Sequence, residues 1–138
     1  MRRAGLVVAT ALVAALAPFG AHAAVGCNDP CTVTAQSTQG YVSPAIDIPS
    51  ASTVQWVGLE AIGHPTGDLG AEPCFFVNVS SSDVARVTFT IANGVLKAKT
   101  GTTTKPCGGA LQLPDGSFVL PYQCHIHPNM RGVIRVES

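Results

Sequence analysis

The sequence has little of what a helical bundle, a nucleic-acid surface or a second catalytic domain would need. Beyond the first two dozen residues no segment carries apolar positions at helical spacing over several turns, which argues against long amphipathic helices. No run of Lys or Arg forms a basic patch, so nucleic acid is not an expected partner. No internal repeat is present. Histidine is scarce, with four in 138 residues. The one long apolar stretch, residues 6–19, is shorter than the roughly 20 residues of a membrane span.

That stretch has a different use. Arg2 and Arg3 precede it, and Ala21-His22-Ala23 follows as a small-x-small cleavage site. Residues 1–23 are therefore expected to be a signal peptide, giving a periplasmic or secreted protein with no membrane span. The paired arginines lack the flanks of a twin-arginine signal. Lipidation at Val25-Gly26-Cys27 is disfavoured because Ala24 stands where a large aliphatic residue is usual. Residues 24–138 are expected to form one domain, near the usual size of about 100–150 residues. Taking Arg2 and Arg3 from the eight basic residues leaves six against eight acidic ones, a formal charge near −2.

Short alternating or apolar runs fill the rest, at 41–48, 53–59, 75–79, 85–92, 95–99, 117–124 and 132–136. Arg86, Thr88 and Thr90 alternate with Val87, Phe89 and Ile91, giving one wet and one buried face. Asn93-Gly94 supplies a tight hairpin. About seven to eight strands separated by Pro, Gly and Asn turns predict an all-β antiparallel sandwich.

The chemistry is concentrated near the end, in YQCHIHPNMRGVIRV. Cys124, His127 and Met130 offer a thiolate, an imidazole and a thioether at Cys-x2-His-x2-Met spacing. A trigonal His2Cys set with a weak axial Met is the arrangement of blue-copper sites. One histidine must come from elsewhere, and outside the first 23 residues only His64 and His125 remain. His125 adjoins Cys124, and neighbours on an extended segment point to opposite faces. His64 is the leading choice. The expected metal ligands are His64, Cys124, His127 and Met130, with His64 in a loop after the Trp56 strand.

From these residues the chain resembles the cupredoxin family, most of all its plastocyanin and amicyanin group. YVSPAIDIPSASTVQWV is similar to the family's opening strands, and CHIHPNMRGVIRV to its closing loop and strand. The resemblance implies a Greek-key β-sandwich and one type 1 copper ion. It implies a small exported monomer that carries single electrons between transient redox partners docking near His127, rather than an enzyme. Pro128, Asn129 and Met130 would surround that port, and Arg131 would steer an acidic partner. The alternative is a periplasmic copper chaperone or storage protein.

Two departures from the family stand out. Pro65 follows His64 where the family usually has a backbone N–H for the cysteine sulfur; proline has none, which is expected to lower the reduction potential. Ser50-Ala51-Ser52 replaces a usual glycine before the Trp strand, which bears on turn geometry. With Cys124 given to metal, four cysteines can pair, and of three connectivities Cys27 with Cys31 and Cys74 with Cys107 is preferred. Cys27-x3-Cys31 could instead hold copper, as in exported delivery proteins, but those use an α/β fold. The Cys124-His125 pair is similar to that of multicopper oxidases. Gln123 replaces their preceding His, and the further histidines of a three-copper cluster are absent, so His125 is expected to be solvated or structural.

Overall fold

The structure, a computed structural model, describes residues 25–138. The signal peptide expected at 1–23 lies outside the described residues. Thirteen strands follow one another: β1 (Val25–Gly26), β2 (Cys31–Gln36), β3 (Gly40–Val42), β4 (Ala45–Pro49), β5 (Ser52–Gly58), β6 (His64–Asp68), β7 (Phe76–Val79), β8 (Ala85–Ala92), β9 (Val95–Thr100), β10 (Thr103–Pro106), β11 (Leu111–Gln112), β12 (Phe118–Cys124) and β13 (Arg131–Glu137). They form a six-stranded sheet in the order β10-β9-β8-β5-β2-β3, and a seven-stranded sheet in the order β1-β4-β13-β12-β6-β7 with β11 beside β12. Among the described residues no helix is long and apolar enough to cross a membrane.

Period-two burial explains why these segments pair. In β5, Val54 and Trp56 are fully buried while Thr53, Gln55 and Val57 are partly exposed. β12 repeats the pattern with Phe118, Leu120, Tyr122 and Cys124 facing inward. The inward faces enclose one core, at whose centre Trp56 stacks on Phe75 at 5.3 Å and meets Tyr122 edge-on at 5.6 Å. Pro121 is tolerated within β12 because it falls between the segments paired with β11 and with β6, where neither of those strands has a residue in register to need its missing N–H and its carbonyl accepts from the Leu69 N–H.

The sandwich has more strands than the expected seven to eight. Residues 41–48 are not one strand: β3 belongs to the six-stranded sheet and β4 to the other, and the chain crosses between them at Ser43-Pro44, with Ser43 at φ 61°. β2, β6 and β10 lie outside the runs picked from sequence, and β1 and β11 are only two residues long, too short for alternation to reveal. Cys27 is joined to Cys31 and Cys74 to Cys107, in the preferred connectivity. Cys124 is the free cysteine, fully buried.

Candidate metal centre

At one end of the sandwich β12 and β6 run side by side, with Cys124 in register with Thr66. His64 is the first residue of β6, flanked by β7 through its pairing with Val79. It does not sit in a loop as expected; a polar residue at a strand end looks loop-like in sequence, but here the sheet buries it completely. Its Nδ1 lies 3.9 Å from the sulfur of Cys124, which is 3.7 Å from Nδ1 of His127. Donor atoms of His64, Cys124 and His127 all fall within 4.8 Å of one another, with His127 partly exposed and the other two buried.

The β12–β13 loop is held by its own backbone. The N–H of Cys124 donates to the carbonyl of Met130 at 3.0 Å, and the N–H of Met130 to that of His127 at 2.9 Å. The Arg131 guanidinium donates to the carbonyl of Pro128, closing the outer turn. Met130 is fully buried at the loop's end, against Gly40 in its left-handed conformation at φ 76°. At Gly132 a Cβ would overlap the Tyr122 ring at Cζ, so only glycine lets β13 cross that ring.

Two groups not anticipated from sequence fix His64. Its Nε2 is 3.1 Å from Oε2 of Glu60, and Glu60 also accepts from the N–H of Ser37 at 3.1 Å and from its hydroxyl at 2.6 Å. These Ser37 bonds, and then His64, hold the Glu60 carboxyl below its usual range. With Nε2–H donating to Glu60, the lone pair of Nδ1 is left facing Cys124. A Glu four residues before the histidine was the available signal for Glu60; nothing in the sequence pointed to Ser37. On the other side Tyr41 shares a 2.7 Å hydrogen bond with Thr66, and burial raises its phenol well above the ordinary value.

His125 points away from this cluster, as alternation requires. It is exposed, its N–H donates to the carbonyl of Pro65 at 2.8 Å, and its ring packs edge-on against Phe76 at 5.1 Å. Among the described residues no backbone N–H donates to the Cys124 sulfur; its polar neighbours are the two imidazoles. A buried free thiol between two imidazole nitrogens is a soft, metal-binding donor set, and it fits copper better than the oxygen-seeking cations.

No protein-family model matches the chain, and no curated protein matches it. Solved structures do. A reduced Cu(I) form of an amicyanin variant at pH 4 is 22% identical, with 85% of each chain covered and a TM-score of 0.51. Amicyanin from Paracoccus versutus (Thiobacillus versutus) is 20% identical over 77% of this chain and 79% of its own, with a TM-score of 0.52. The copper-containing nitrite reductase NirK from Thermus scotoductus SA-01 is 22% identical over 79% of this chain but only 22% of its own, with a TM-score of 0.52. The two-sheet architecture and these likenesses together establish that the chain has a cupredoxin-like fold.

Proposed function

We propose that the protein is an exported, monomeric type 1 copper protein that carries single electrons between redox partners. The observation that carries this is the convergence of His64, Cys124 and His127 donor atoms within 4.8 Å in a chain whose other described cysteines are all in disulfides. Met130, buried at the end of the same loop, would supply a thioether ligand. Copper supplies a one-electron couple when bound to such a set. The residues supply rigidity: Glu60 and Ser37 hold one imidazole, and the backbone bonds of the 124–130 loop hold the rest. A donor set fixed in this way changes little between oxidation states, which favours electron transfer over substrate chemistry.

His127 is the partly exposed member, and exposed Ile126 and Pro128 adjoin it in sequence. Partners would dock there through a small transient interface, under about 1,200 Å2. Complete burial of His64 and Cys124 counts against the exchangeable site that a chaperone or storage protein would need. Export rests on the signal-like segment at residues 1–23 and points to the periplasm or beyond.

The test is a visible spectrum of the mature protein on addition of Cu(II), followed by ascorbate and reoxidation. An intense blue thiolate band that bleaches and returns, and is lost in Cys124→Ser, is expected. A colourless protein that retains copper and yields Cu(I) to a chelator would transfer the assignment to copper delivery, and no uptake of copper would end both.

A further inference from the structure

The charges of this chain are segregated. Residues 85–106, which contain β8, β9 and β10, carry Arg86 and all three lysines of the sequence, Lys97, Lys99 and Lys105, and no acidic residue. The other described residues hold eight acidic residues against Arg131 and Arg135. Among the described residues the ion pairs join His64 to Glu60 and Arg135 to Asp115 and Glu137, so none of the four cations on this segment is neutralised.

The fold turns this segment into a face. Val87, Phe89, Leu96 and Ala98 are buried, so alternation sends Arg86, Lys97 and Lys99 to the outside of the six-stranded sheet. Lys99 is paired with Thr88 and Lys97 with Thr90. The ground between the cations is short and polar: Thr53 and Thr88 share a 2.9 Å hydrogen bond, and Arg86 donates to Gln55 at 2.9 Å. The acidic neighbour is Asp29, which precedes β2 and accepts from the Thr53 N–H. Lys105, on the edge strand β10, is in register with the buried Ala98 and so lies on the other side of the sheet, which leaves Arg86, Lys97 and Lys99 as the cations of the outer face.

We propose that this outer face is a docking surface for an anionic lipid bilayer, on which the protein lies by charge alone without inserting. Charge complementarity selects a polyanion. No strand of this face turns an aromatic side chain outward to anchor a protein interface: the exposed large apolar side chains on its strands are Val42 on β3 and Val95 on β9, separated by three strands. A headgroup surface requires no such anchor, and the adjacent strands β8 and β9 present Arg86, Lys97 and Lys99 to it together. His64, Cys124 and His127 belong to the other sheet and its end loop, so they remain uncovered in this orientation. A carrier held this way would move in two dimensions along the membrane between partners.

The test is co-sedimentation of the mature protein with vesicles of phosphatidylglycerol and phosphatidylcholine, and with phosphatidylcholine alone. It needs no metal, so its failure is separate from that of the electron-transfer assignment. Binding to the anionic vesicles is expected at about 20 mM salt, falling about tenfold or more by about 300 mM, because exposed charges are screened. The charge-reversed R86E/K97E/K99E variant should lose it, and R135Q, on the other sheet, should keep it. Equal binding to neutral vesicles, no binding to anionic ones, or binding by the native chain that survives high salt would each overturn the proposal. Salt-sensitive dimers formed without vesicles would give the face to a second copy instead.

Discussion

Glu60 and His64 form a hydrogen-bonded pair, Oε2 to Nε2 at 3.1 Å, in which a half-exposed carboxylate holds a completely buried imidazole. Replacing Glu60 by Ala removes the acceptor and the partner of Ser37 together. A copper competition titration is expected to show affinity lower by about 10–100-fold, with E60Q falling between E60A and the native protein. Unchanged affinity in E60A would mean that the sheet alone orients the ring.

Pro65 offers the Cys124 sulfur no N–H, and no other backbone donor among the described residues replaces it. Pro65→Asn restores a donor at that position. A new hydrogen bond worth about 1 kcal/mol to the reduced state corresponds to roughly 40 mV for one electron. Redox titration should show a rise of that order, and a potential that stays or falls would remove Pro65 as a determinant.

Ala51 occupies the left-handed region at φ 71°, in the turn between β4 and β5 where a glycine would be relaxed. Ala51 is exposed, and its N–H is bonded to the Phe89 carbonyl at 2.8 Å, so the turn is held in place despite the strain. A51G is expected to stabilise the fold by about 1 kcal/mol, read as a higher midpoint in thermal denaturation.

Gly132 lies under the Tyr122 ring with no space for a methyl group. G132A must displace either β13 or the ring, and a loss of about 1–3 kcal/mol is expected in denaturant unfolding. In a Y122L background the same G132A change should cost less, because the obstruction is the ring itself.

How much of this was legible in the sequence depends on how local each signal was. Cys124, His127 and Met130 share one short loop, so their spacing carried the chemistry directly. His64 was found only because histidine is scarce. The brace on His64 needed the third dimension: Ser37 follows β2, whose buried face shows in the sequence only as the small Cys31, Val33 and Ala35 alternating with polar residues. The 41–48 run looked continuous because alternation persists across Ser43-Pro44, although the chain changes sheets there. Turn strain at Ala51 was signalled by the missing glycine, but its sign came from the backbone angle.

The parallel pairing of β4 with β13, Ile46 beside Ile134, sets the tempo of folding. Contacts so remote in sequence must close a long loop before they contribute, so this sandwich belongs with slow-folding β proteins. Hairpins such as β8–β9 can form early, but His64 meets Cys124 only when β6 pairs with β12 across the intervening chain. Until then the Cys124 thiol is an unguarded fifth sulfur among four that must pair correctly, open to thiol–disulfide exchange. The residue that defines the centre in the finished protein is thus the one most able to divert the chain during its maturation.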